Sequence, residues 1–101
     1  MNRILGVLGL ARRAGALAIG TNSVLEAVRK KKAFMVLIAA DASENTAKQL
    51  LDKSTFYNVP AETLPFGMLE LGHAIGKDHT VAVAILQEGF VVSYTKACTT
   101  Q

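Results

Sequence analysis

The chain has 101 residues, half of them hydrophobic and 19% charged, which suffices for one domain with a real core and excludes global disorder. Residues 1–32 carry seven basic side chains against the single carboxylate of Glu26, whereas residues 33–101 carry four lysines against seven carboxylates. A localised positive field attracts polyanions and releases counterions on contact, so RNA, DNA or an anionic membrane surface is the first class of partner to weigh.

In chain order, Ile4, Leu5, Val7, Leu8 and Ala11 recur at helical spacing, and Gly15 stops the run. The short apolar segment Leu17–Ile19 then meets Gly20. Thr21, Asn22 and Ser23 are each N-cap candidates for a second helix, whose apolar stripe of Val24, Leu25, Ala27 and Val28 runs into Arg29–Lys32. Cations at that C-terminal end suit the helix dipole.

Phe34–Ala39 is a continuous apolar run of strand length, the pattern of a strand buried on both faces. Asp41–Asn45 can cap the next helix, with Ala47, Leu50 and Leu51 as its buried face. Asn58–Pro60 turns into a poor strand near Ala61–Leu64, which Pro65 confines to an end or edge. Phe66–Ile75 reads as a helix closed by Gly76, and Thr80–Leu86 as a second buried strand. The last dozen residues fit no element firmly. This alternation of helix and strand predicts one α/β domain with helices on both faces of a central sheet.

Several motifs are excluded or explained without chemistry. Gly6, Gly9 and Gly15 lie within or just after the first helical pattern, where no strand precedes them, so they do not form a phosphate loop. His73, Asp78 and His79 match no metal-ligand spacing and read as surface residues. Asp41 follows a buried strand, where open α/β sheets often keep functional groups, but helix capping explains it equally. Cys98 is the only cysteine, which rules out an internal disulfide framework and a cysteine zinc cluster and fits a reducing compartment. The apolar stretch Ile4–Leu10, broken by Arg12–Arg13, is too short for a bilayer span and poor as a secretory signal, so the cytoplasm is the expected location. With no Trp and few Tyr and Phe, a stacking platform for bases is poorly supplied.

Two features point to a polyanion. Arg12, Arg13 and the run Arg29, Lys30, Lys31 and Lys32 each read as solvated helix ends individually, but collectively they suit sequence-independent phosphate contact. Gly20–Ser23 places a glycine and three short polar residues at a helix start, which is either a plain N-cap or a set of exposed N–H donors for phosphate. There Asn22 carries the paired donor and acceptor of an amide, which can bond a base edge.

With these residues in view, the chain resembles the kink-turn-binding ribosomal protein family, most of all its bacterial members. The fragments that carry the likeness are LGLARRAG at 8–15, GTN at 20–22, VLIAADASENT at 36–46, YNVP at 57–60, ELGHAIGK at 70–77 and VAVAILQEGF at 81–90. The resemblance implies a three-layer α/β/α sandwich around a four-stranded mixed sheet. It also implies binding of RNA kink-turns, in which two stems meet at a bulge beside tandem sheared G·A pairs. By position, Gly20 would let the backbone approach the RNA, and Thr21 and Asn22 would complete the motif, Asn22 reading a guanine edge. A pocket for the bulged nucleotide would fall near Ser43 and Ala47 and near Asp78, His79 and Thr80. Lys77 and the cations at 29–32 would hold flanking phosphates. Two positions depart from the family pattern: Ser23 stands where relatives usually have an acid, and Glu26 where they have a lysine.

The expectation is a non-enzymatic binder of structured RNA, with ribosomal RNA or another translation-associated RNA as target and the ribosome as a possible site of action. No cofactor, metal or membrane partner is expected, and a monomer is. The rival reading is a protein-interaction module on the same fold that docks through the apolar segment Phe66–Leu71.

Overall fold

The computed structural model describes residues 2–99. In chain order it contains α1 (Arg3–Arg13), β1 (Leu17–Ile19), α2 (Thr21–Arg29), β2 (Met35–Ile38), α3 (Glu44–Phe56), β3 (Ala61–Thr63), α4 (Met68–Ala74), β4 (Ala82–Ile85) and α5 (Glu88–Thr99). The strand order is β1-β4-β2-β3. β4 runs antiparallel to both β1 and β2, and β3 lies parallel to β2. The mixed sheet follows from the connections: α3 provides the crossover that a parallel β2–β3 pair requires.

The two continuous apolar runs form the central strands, and strand alternation divides their side chains between two cores. Leu37, Ala39, Val83 and Ile85 face one layer with Ile4, Leu8, Leu71 and Tyr94, from α1, α4 and α5. Val36, Ile38, Ala82 and Ala84 face the other with Val24, Val28 and Leu50, from α2 and α3. The result is the three-layer α/β/α sandwich around a four-stranded sheet. The short strands β1 and β3 form its edges, as Pro65 foretold for β3.

Four local details differ from the sequence reading. Gly20 is the N-cap of α2, so Thr21, Asn22 and Ser23 occupy its first turn instead of capping it. That helix ends at Arg29, because Lys31 adopts a left-handed conformation (φ 60°) while its N–H and that of Lys32 turn back to the Val28 and Ala27 carbonyls. On α3 the buried residues are Leu50 and Ser54, one turn apart, whereas Leu51 is 38% exposed. The final segment is a regular helix, α5, that packs Tyr94 and Ala97 into the core.

Asp41 does cap a helix, but a distant one. Its Oδ1 accepts the Met68 N–H at 2.7 Å, so it closes the start of α4, while Ser43 caps α3. The segment Phe66–Leu71 is for the most part turned inward: Leu71 is fully buried, Phe66 and Met68 are half-buried against the core, and only Leu69, 63% exposed, presents a large apolar side chain to solvent. The rival docking surface is therefore largely occupied by the protein's own packing. Among the described residues, no helix is long and apolar enough to cross a membrane.

Candidate nucleic-acid interface

Sheet pairing gathers four chain segments at one end of the sandwich. The Gly20 N–H donates to the Ala82 carbonyl at 2.9 Å, which ties the β1–α2 junction to the start of β4. The Ala39 N–H donates to the Val81 carbonyl at 2.8 Å, and the Ala40 N–H to the Phe66 carbonyl at 2.7 Å. The loop before β4 is drawn against α4 by the Thr80 N–H, which donates to the Met68 carbonyl at 3.1 Å. Gly72 makes that approach possible: a Cβ there would stand 2.3 Å from the Asp78 carbonyl oxygen, so only glycine fits.

The start of α2 is the distinctive feature of this end. Gly20 has φ 93° and ψ 158°, a backbone region essentially confined to glycine. Side chains cap α1, α3 and α4, through Asn2, Ser43 and Asp41 respectively. Among the described residues, no side chain caps α2, although three cap-type residues stand there. The first-turn N–H groups of an α-helix have no intrahelical acceptor, so the end of α2 keeps its donors available to a ligand.

Two grooves flank α2. The first, about 480 Å³, runs along the outer edge of β1 and takes Ser23, Glu26 and Lys30 from α2, together with Arg12, Lys32 and Lys77. The second, about 410 Å³, lies between α2 and α3 and takes Asn22, Leu25, Arg29 and Lys53. Glu26 lines both and stands on the ridge between them. Its carboxylate lies 3.0 Å from the Lys30 ammonium and 3.9 Å from the Arg29 guanidinium. The hydrogen bond from Lys30, and the positive charge of Arg29 and Lys32, hold the Glu26 carboxyl below the usual carboxylate range. It remains an anion among cations.

The sequence-predicted residues thus separate into groups. Gly20, Thr21, Asn22 and Ser23 form the presented helix start, with Glu26, Lys30, Lys32 and Lys77 in the groove beside it. Arg29 faces the other groove with Asn22, and the exposed Lys31 lines neither. Ser43, Asp78 and His79 are exposed at the same end of the sheet, but the Ser43 hydroxyl is engaged with Thr46. Ala47 is half-buried against the core shared by α2 and α3. Thr80 is 2% exposed, and its hydroxyl lies in the interior without a protein partner, so this side chain does not reach the surface. Lys53 lines the second groove without belonging to any sequence motif, and Arg12, read from the sequence only as a helix-end cation, joins the first. Arg12 comes from a helix end remote in sequence, and only the docking of α1 brings it beside β1. Among the described residues, no group of three or more His, Cys, Asp or Glu side chains gathers in a metal-holding arrangement.

Comparison with known proteins gives this architecture a family. The family described as "Ribosomal protein L7Ae/L30e/S12e/Gadd45 family" matches over residues 2–93. The protein named RNA-binding protein YlxQ from Bacillus subtilis (strain 168) is 40% identical over 84 residues, 83% of each chain. A protein with unknown function from Bacillus halodurans C superposes with a TM-score of 0.90 at 32% identity, over 98% of this chain and 99% of that one. The Giardia lamblia 15.5kD RNA binding protein shares the fold, with a TM-score of 0.80 at 22% identity over 97% of this chain and 83% of that one. The chain belongs to the ribosomal protein L7Ae/L30e/S12e/Gadd45 family.

Proposed function

We propose that this protein is a non-enzymatic, monomeric binder of structured RNA in the cytoplasm. Its target is a kink-turn-like bend in ribosomal RNA or another translation-associated RNA. The observation that carries this reading is the uncapped start of α2, held rigidly against β4 by Gly20 and opening beside a cationic groove. The name of the Bacillus subtilis relative points the same way.

The mechanism is recognition by preorganisation. With no side chain on Gly20, RNA can approach the backbone of the first turn closely. Asn22 presents an amide donor and acceptor to a guanine edge, and Ser23 adds a hydroxyl that can donate or accept. Lys30, Lys32 and Lys77 hold phosphates, which positions the RNA without reading its sequence. Because the helix end is already ordered, binding energy goes into stabilising the bent RNA instead of ordering the protein. No bond is made or broken.

The test is a titration of two labelled RNAs at two salt concentrations: a kink-turn, and the same RNA with its tandem G·A pairs changed to Watson–Crick pairs. The expected result is much tighter binding of the kink-turn, lost selectively in Asn22→Ala. A two-hydrogen-bond base contact is worth roughly 1–3 kcal/mol of discrimination, or about 5- to 150-fold in affinity. Equal binding of both RNAs by the wild type would overturn kink-turn recognition.

A further inference from the structure

We propose that the RNA grip extends beyond α2 to a second phosphate-binding patch, built by Arg12 and Arg13 at the end of α1 with Lys77 between it and α2. This patch would hold RNA backbone lying outside the bulge and the G·A pairs. The inference rests on the RNA-binding reading above.

Three observations carry it. First, the surfaces are continuous: Arg12 lines the groove along β1 and also a cleft of about 360 Å³ between α1 and α4 that contains Arg13. Arg12, Arg13, Lys30, Lys32 and Lys77 therefore border a single track. Second, α1 and α4 meet closely at this cleft through small residues. A Cβ on Gly9 would lie 3.0 Å from the Ala74 carbonyl oxygen, and Gly76 and Ala74 form the opposite wall. This close approach brings the exposed arginines to the end of α4.

Third, this side gathers cations that stand outside the Glu26 ion pairs. Arg29 and Lys30 both face the Glu26 carboxylate. Among the described residues, Arg12, Arg13, Lys32 and Lys77 have no such partner within ion-pair distance. The carboxylate on α2 dilutes the field of that helix, and the cations that make no ion pair with it stand along β1 and at the end of α1. A guanidinium offers a fork of donors that matches phosphate. The bland alternative is that both arginines only offset the negative C-terminal ends of α1 and α4. That role needs no RNA and predicts a loss of stability instead of affinity.

The double variant Arg12→Gln/Arg13→Gln tests the patch, with kink-turn affinity measured against salt and thermal unfolding measured alongside. The expected result is a salt slope reduced by about one to two, with discrimination between the two RNAs retained. An unchanged slope overturns the patch, whether or not the unfolding midpoint falls, and leaves the Asn22-dependent reading standing. A salt slope that the variant changes only with an acidic polyglutamate chain, and not with RNA, also overturns it in favour of a protein partner. Hydroxyl-radical footprinting of the wild-type complex needs no variant. Backbone protection beyond the bulge and the G·A pairs is expected, and protection confined to them overturns the proposal. Absence of any RNA binding by the wild type is a separate failure, that of the function itself.

Discussion

The Lys30 ammonium lies 3.0 Å from the Glu26 carboxylate, one turn earlier on α2, in the groove that leads to the helix start. The pair is exposed, so its direct effect on folding is small. Its effect on the surface is larger, because it places an anion on the ridge between two cationic grooves.

Removing that anion should strengthen RNA binding. Glu26→Gln is expected to bind RNA more tightly at low salt and to steepen the salt dependence by up to about one, the advantage shrinking as salt screens the field. The neighbouring cations keep the Glu26 carboxyl below its ordinary range, so it stays charged well into mild acid. The ratio of variant to wild-type affinity should therefore stay constant from about pH 8 down to about pH 5 and close only below that. A ratio that closes near pH 6 would contradict the ion-pair geometry.

Lys31 supports a separate prediction about stability. Its left-handed backbone follows the last turn of α2, where glycine carries no steric penalty. Lys31→Gly should stabilise the fold by about 1 kcal/mol, which shifts Tm upward by about 4–8 °C in a domain of this size. Because Lys31 lines neither groove, kink-turn discrimination should be unchanged in the same variant.

Tyr94 supports a prediction at alkaline pH. Its hydroxyl donates to Glu62, which joins α5 to the edge strand β3. Burial first, then the bond to Glu62 and the nearby Cys98, pushes the phenol far above its ordinary value of 10.0. The folded state therefore keeps a proton that the unfolded chain loses above about pH 10. The stabilisation is complete below that pH and declines as pH rises past it. Tyr94→Phe should cost about 1 kcal/mol at neutral pH and flatten this decline, as measured by urea unfolding at pH 7 and pH 10.5. An unchanged alkaline slope would show that Tyr94 is not its source.

Periodicity and composition determined much of the architecture. The runs Phe34–Ala39 and Thr80–Leu86 identified the two central strands, because a strand covered on both faces must be apolar at successive positions. The basic N-terminal third raised the expectation of a polyanion partner, and Gly20–Asn22 marked the start of α2, the helix end on which the proposed function rests. The tertiary structure decided the rest. α5 was illegible because only Tyr94 and Ala97 along it are fully buried. Leu51 and Leu50 are indistinguishable as letters, yet docking against α2 and the sheet buries one and exposes the other. Thr80, which the resemblance places at a surface pocket, is drawn inward by the packing of its loop on Gly72. The basic track depends on contacts far apart in the chain: β1 pairing with β4, and α1 closing on α4 through Gly9. Local sequence sets which residues are helical, apolar or charged. Whether charges from separate helices share one surface depends on long-range packing, which no local pattern encodes.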